Sequence, residues 1–282
     1  MHGKPLPLQG TNEEIRKSAS TCMNQSALQL WCACPDDLLD PQVEAACSRL
    51  LCEEEQARWK RFKFERNQRE FLATHALART ALSRQLPIAP EQWRFQFNNH
   101  GKPAIHPDCG LRFNLSNSTT LVVCLISANA EVGVDIEPRT RAESILEIAP
   151  RMFSPLELSQ LRSLPTEQQP ERALRLWTLK EAYIKARGMG MAIPLDKFSF
   201  AFDPLRNIRM EIDPALTDSA DRWQFCQFEL KQHCIAIMLE IVNESNLAPE
   251  LQIWDSHLAS LTSTQSKLIQ PKWFSNNLNR PE

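Results

Sequence analysis

Trp223-Gln-Phe-Cys-Gln-Phe-Glu-Leu230 and His233-Cys-Ile-Ala-Ile-Met-Leu-Glu-Ile-Val242 flank the dipeptide Lys231-Gln232. Both runs are rich in aromatic and β-branched residues, and two residues is the shortest common hairpin connection. The spacing predicts an antiparallel pair over 223–230 and 233–242, because a parallel pair needs a crossover of a dozen residues or more. Upstream the same character continues, with strands over Phe198–Asp203 and Ile208–Ile212. Before them come a long helix over Glu171–Arg187 closed by Gly188 at C′, a helix over Pro155–Leu164, and helical character from Ser144. Val132–Glu137 reads as a strand that Pro138 stops. In the first half, Ala27–Ala33 reads as a strand and Pro41–Arg61 as one helix entered through Asp40 and Pro41. Glu65–Arg84 reads as a second helix, and Trp93–Phe97, Leu111–Leu115 and Leu121–Ser127 as strands. Helices beside hairpin-connected strands in each half give the α+β class rather than a βαβ fold. The expected division is an arm over 1–26, an N-terminal subdomain over 27–131, a C-terminal subdomain over 132–242, and a polar C-terminal extension over 243–282. That extension is patterned only at Leu251–Trp254 and Leu258–Ile269.

Length and composition bound the function. At about 150 residues per domain, 282 residues predict roughly two domains, and 43% hydrophobic with 23% charged residues describes a folded globular chain. A net charge of -2 argues against nucleic acid or an anionic membrane as a whole-surface partner. Glycine is scarce, 7 residues in all, and neither G-x-x-x-x-G-K-[ST] nor G-x-G-x-x-G occurs. Any phosphate must therefore be held by side chains. The nine cysteines are odd in number, lack a C-x-x-C pair and sit partly in apolar runs, so reduced buried thiols are expected. No apolar run approaches the ~18 residues of a membrane span, and a cytoplasmic location is expected.

Three groups of residues could carry chemistry. In Gly133-Val134-Asp135-Ile136-Glu137 the strand period of two places both acids on one face. That pair is half a site for a hard divalent cation, or else a solvated surface pair. In Trp177-Thr-Leu-Lys180-Glu181-Ala-Tyr183-Ile184-Lys185 the spacing aligns Trp177, Glu181 and Lys185 on one helical stripe. A basic run, Arg58, Lys60, Arg61, Lys63, Arg66 and Arg69, is interleaved with Trp59, Phe62 and Phe64, and reads either as a solvated face or as an anion site. Gly101-Lys102-Pro103 and Asn114-Leu115-Ser116-Asn117 add a cation and polar donors.

In combination, the basic helix, G-K-P, F-N-x-S, G-V-D-I-E and W-x-x-K-E-A-x-x-K resemble the 4′-phosphopantetheinyl transferases of the two-domain, surfactin-synthetase-activating type, from about Arg58 to Phe202. The resemblance implies two similar α+β subdomains with a cleft between them. It implies an Mg²⁺-dependent enzyme that moves the phosphopantetheine arm of coenzyme A to a serine of an apo acyl or peptidyl carrier protein, acting as a monomer. By that likeness Asp135, Glu137 and Glu181 hold the metal, Glu181, Asp135 and Lys185 are catalytic, and Arg58, Gly101, Lys102, Asn114, Ser116, Asn117, Glu181 and Lys185 contact the coenzyme. Asn117 stands where the family has histidine, which implies weaker coenzyme binding because asparagine carries no charge. A non-catalytic binding module is the alternative from another class. A metal-dependent phosphodiesterase lacks support, since the six histidines are scattered.

Overall fold

A computed structural model describes residues 27–203, 207–243, 247–259, 262–269 and 271–275. The expected arm over 1–26 lies outside the described residues. The chain divides into two compact units. Of the described residues, one takes 27–98, then Pro103–Asn129 and those of Pro249–Gln270; the other takes Asn99–Lys102, those of Ala130–Ala248, and 271–275.

The first unit is built on a five-stranded sheet. Its strands are β1 (Ala27–Ala33), β4 (Leu111–Asn117), β5 (Val122–Ala128), β11 (Glu250–His257) and β12 (Thr262–Ile269), in the order β12-β11-β1-β5-β4. A small hairpin, β2 (Phe95–Phe97) with β3 (Pro103–Ile105), stands apart. Its helices are α1 (Pro41–Ser48), α2 (Glu53–Trp59) and α3 (Glu65–Ser83). Leu72, Leu77, Ala78 and Leu82 of α3 pack with Trp31, Phe113, Cys124 and Ile126 of the sheet.

Two expectations change here. The single helix over Pro41–Arg61 is two, because the chain restarts at Cys52, whose backbone N–H donates to Glu55 Oε2 at 3.0 Å. Glu55 is held there by Arg79 Nη2 at 2.7 Å and His75 Nδ1 at 2.8 Å. Residues 249–270, expected in an extension, are instead part of the first unit. β11 runs parallel to β1 in register Leu28↔Leu251 to Cys32↔Asp255. Trp31 and Trp254 stack across that pair with ring centroids 4.8 Å apart. Pairing β1 satisfies an edge that would otherwise expose unpaired backbone groups.

The second unit has a four-stranded sheet in the order β13-β9-β10-β6, from β6 (Val132–Pro138), β9 (Trp223–Leu230), β10 (His233–Glu240) and β13 (Trp273–Phe274). β7 (Phe198–Phe202) and β8 (Ile208–Ile212) form a separate hairpin, and the helices are α4 (Ala142–Met152), α5 (Pro155–Arg162) and α6 (Gln169–Arg187). The β9–β10 hairpin forms as its sequence predicts. Lys231 and Gln232 take φ of 48° and 65°, the twist a two-residue turn requires even without glycine. Gly188 closes α6 at φ 65°, with its N–H on Ile184 O. α6 packs through Ala182, Tyr183 and Ala186 into a core with Phe198, Trp223, Cys234 and Ala236. Among the described residues, no helix is long and apolar enough to cross a membrane, and no two cysteines are joined in a disulfide.

Candidate active site

β6 presents Asp135 and Glu137 on the face that α6 covers. Asp135 stands opposite Ala236 and Glu137 opposite Cys234 in the antiparallel register, and both partners belong to the core that α6 enters. The carboxylates are 5% and 7% exposed, which excludes a solvated strand face. Gly133 makes this approach possible. A Cβ there would collide with the carbonyl oxygen of Ala182 and come within 2.5 Å of the amide nitrogen of Ala186. Only glycine lets helix and strand backbones come this close.

The closeness brings the stripe of α6 onto the acids. Lys185 Nζ donates to Asp135 Oδ1 at 2.7 Å. Trp177 Nε1 donates to Glu137 Oε1 at 3.0 Å, and Arg141 Nη1 donates to both oxygens of Glu137 at 2.7 and 2.8 Å. Half-buried Glu181 joins the cluster. Burial, and then the charge of Asp135, push its carboxyl up to about 7 against the pull of Lys185. Burial and Asp135 likewise raise Glu137, against Arg141 and Trp177. Two cations thus face three acids, and the deficit is carried as raised carboxyl pKa values.

An all-oxygen donor set of this charge fits Mg²⁺ in its chemistry. Its geometry is that of an ion-paired cluster, and among the described residues no three His, Cys, Asp or Glu side chains stand as a formed ligand array.

The remaining expected residues lie elsewhere. In the first unit, Arg58, Asn114 and Asn117 line one pocket of about 440 Å³ with Phe62, Phe71 and His75. The Arg58 guanidinium sits 5.3 Å from the centre of the Phe71 ring. Asn117 Nδ2 donates to Glu70 Oε2 at 3.4 Å. Ser116, 4% exposed, sits beside these residues on β4 but does not line the pocket. From the basic run, Arg66 and Arg69 make i,i+4 surface pairs with Glu70 and Glu65, which contribute little. Gly101, at φ 85°, and Lys102 belong to the second unit. Lys102 Nζ donates to Glu131 Oε2 at 2.6 Å and to the carbonyl of Ala186 at 2.7 Å.

Comparison with known proteins now decides the family. A family model described as the 4′-phosphopantetheinyl transferase superfamily matches residues 131–238, and one described as 4′-phosphopantetheinyl transferase, N-terminal, matches 40–129. The chain is 32% identical over 225 residues to the 4′-phosphopantetheinyl transferase HetI of Nostoc sp., covering 79% of this chain and 91% of that one. The chain belongs to the 4′-phosphopantetheinyl transferase superfamily. It is also 32% identical over 251 residues to a putative 4′-phosphopantetheinyl transferase of Synechocystis sp., covering 83% of this chain and 98% of that one. To the transferase Sfp of Bacillus subtilis it is 35% identical over 146 residues, covering 52% and 64%.

In this transferase-family chain, three parts of the cluster have tasks that the sequence alone does not show. Trp177 was placed on the stripe, yet its indole N–H reaches across to Glu137. Arg141, four residues after Glu137, could have been found as an i,i+4 partner, but the strand ends between them. The contact at Gly133 has no local sequence signal, because the atoms it would strike lie in α6.

Proposed function

We propose that the protein transfers the 4′-phosphopantetheine arm of coenzyme A to a serine of an apo carrier protein and releases adenosine 3′,5′-bisphosphate. The observation that carries this is the cluster of Asp135, Glu137, Glu181 and Lys185, held between β6 and α6 across Gly133. In this reaction the serine oxygen forms a bond to the phosphorus that bears pantetheine. The phosphorus–oxygen bond to the bridging oxygen breaks, and the bisphosphate leaves with that electron pair. Such a displacement needs charge neutralisation and alignment more than covalent help.

Asp135, Glu137 and Glu181 would hold Mg²⁺, which supplies Lewis-acid neutralisation of the pyrophosphate. Lys185, 26% exposed at the edge of the cluster, can turn its ammonium from Asp135 to the phosphate that gathers charge. Trp177 and Arg141 fix the carboxylate plane of Glu137. Burial and Asp135 hold Glu181 at about 7 with no metal ion on it; a bound Mg²⁺ would favour its anionic form, in which it can accept the serine proton. In the first unit, Arg58, Asn114 and Asn117 offer a cation and amide donors to the anionic adenosine end of the coenzyme. We assign the protein to the cytoplasm because its nine cysteines are odd in number and contain no C-x-x-C pair, the pattern of reduced thiols. The non-catalytic alternative would rest on Asn117 and the long C-terminal stretch; Asp135, Glu137, Glu181 and Lys185, all present in one cluster, argue against it.

The test is to incubate the protein with coenzyme A, MgCl₂ and apo carrier domains from fatty acid, polyketide and nonribosomal peptide synthases. Mass spectrometry should find one phosphopantetheine on a carrier serine. Unmodified carriers in every case would refute the transferase assignment.

A further inference from the structure

The Gly101–Pro103 loop was expected to meet coenzyme A through Lys102, and its geometry points elsewhere. An ammonium has three N–H donors. Lys102 Nζ directs them at Glu131 Oε2 (2.6 Å), Ala186 O (2.7 Å) and, more weakly, Val132 O (3.5 Å). The side chain is only 14% exposed. All three acceptors lie within the second unit.

Their position matters. Glu131 and Val132 lead into β6, and Ala186 is in the last turn of α6, directly after Lys185. Ala186 is also one of the residues that a Cβ at Gly133 would strike, so the ammonium sits beside the close approach of strand and helix at Gly133. The carbonyls of a helix's last turn have no partner within the helix, and a cation there also meets the negative end of the helix dipole. Glu131 is itself fixed. Its backbone N–H donates to Glu240 Oε2 at 3.2 Å, and its carbonyl accepts from the Glu240 N–H at 2.9 Å. Gly101, at φ 85°, supplies the backbone turn from which Lys102 reaches this point.

We infer that Lys102 is a positioning residue. It ties the end of α6 to the start of β6 and so sets the register that places Lys185 on Asp135 and Glu181 beside it. This rests on the transferase reading for the importance of those residues, but the tie itself is independent of it. A shift of about 1 Å at a reacting centre can cost on the order of a hundredfold in rate.

Lys102→Met keeps the aliphatic stem and removes the donors. Lys102→Arg restores donors to the same acceptors, and Glu131→Gln weakens the anchor at a residue placed in no binding role. Steady-state kinetics with saturating carrier should show kcat falling about tenfold or more in Lys102→Met. Its KM for coenzyme A should stay within about threefold. Glu131→Gln should show a smaller drop of the same kind, and Lys102→Arg should recover part of the rate. Hydrogen exchange across residues 182–188 should quicken in Lys102→Met and Glu131→Gln and return toward wild type in Lys102→Arg. A KM increase of tenfold or more with kcat preserved, and unchanged exchange over 182–188, would make Lys102 a coenzyme ligand and overturn the inference. If the wild-type protein modifies no carrier, the transferase assignment fails. The exchange measurement then still decides the tie, and Glu131→Gln decides it if Lys102→Met does not fold.

Discussion

Two lysine–carboxylate pairs stand five positions apart on α6, and they do different work. Lys180 Nζ lies 2.8 Å from Glu157 Oε2 with both side chains fully buried. Lys185 Nζ lies 2.7 Å from Asp135 Oδ1 with 26% of the lysine exposed. Around the first pair every charge is answered. Lys180 also donates to Phe198 O at 2.7 Å, and Glu157 accepts from Phe200 N at 2.9 Å and Ser154 N at 2.8 Å. Around the second pair the charges do not balance, because Glu137 and Glu181 add acids and burial raises both carboxyls. A saturated buried pair fixes a helix. An unbalanced pair at an accessible edge can exchange its partner for a ligand, and that separates structure from chemistry on a single helix.

The largest effect should come from breaking the saturated pair. Lys180→Met or Glu157→Gln leaves a buried group without its counterpart, at a cost of about 3–5 kcal/mol. Urea unfolding should show it as a lower midpoint with unchanged slope. Lys185→Met should cost clearly less than Lys180→Met, since Lys185 stands at a partly exposed edge and neighbouring Glu181, already raised, can take up a proton when the lysine is removed. Equal destabilisation by both lysine substitutions would erase the distinction drawn between them.

Next in size is the loss of chemistry at the unbalanced cluster. Asp135→Ala and Glu181→Ala should each lower carrier modification by about 10² or more, with circular dichroism unchanged. A near-normal rate in either variant would remove that residue from the reaction.

A third contrast sets Glu181 against Glu55 of the first unit. Glu181 has acid neighbours and is pushed up; Glu55 is also buried, but its hydrogen bond from His75 and the charges of His75 and Arg79 overcome that burial and hold it at about 2. A folded-state pKa below the unfolded value of 4.5 stabilises the fold fully above that value. The contribution is lost as pH falls from about 4.5 toward 2, on the order of 2 kcal/mol after allowing for partial solvent screening. Glu55→Gln should lower stability at pH 6 and flatten the acid side of the pH–stability curve. An unchanged acid limb would show that the His75 and Arg79 contacts contribute no net stability.

These contrasts also show which parts of the structure the chain announces locally. The β9–β10 hairpin, the length of α6 and its stop at Gly188 depend on residues within a few positions, and all three are legible in the sequence. Asp135, Glu137, Glu181 and Lys185 could be selected from strand and helix spacing, and the fold brings them together. The break between α1 and α2 could not be seen, because it depends on Glu55 being drawn to Arg79 and His75 on another helix. Nor could the place of β11, whose partner β1 lies at the other end of the described chain and whose stacked Trp254 has no local signal. The burial that decides against a solvated Asp135–Glu137 face is likewise a property of α6 and Gly133, not of the strand's own residues.

The smallest effect is expected at the first unit's pocket, where Asn117 donates to Glu70. Asparagine offers a phosphate at most a neutral hydrogen bond, and here its amide is already engaged by a carboxylate. Asn117→His would introduce a ring that charges near pH 6.5, and the neighbouring Glu70 would favour the charged form. KM for coenzyme A should fall about threefold to tenfold at pH 6, the range for gaining one charge-assisted bond at a solvated site, while kcat stays within about twofold. The gain should shrink as pH rises past the imidazole range and as salt screens the pocket. If affinity rises equally at pH 6 and pH 8.5, the ring acts by packing against the aromatic wall and not by charge. An unchanged KM at both pH values would separate this pocket from coenzyme recognition altogether and leave the second unit's cluster as the part that carries binding.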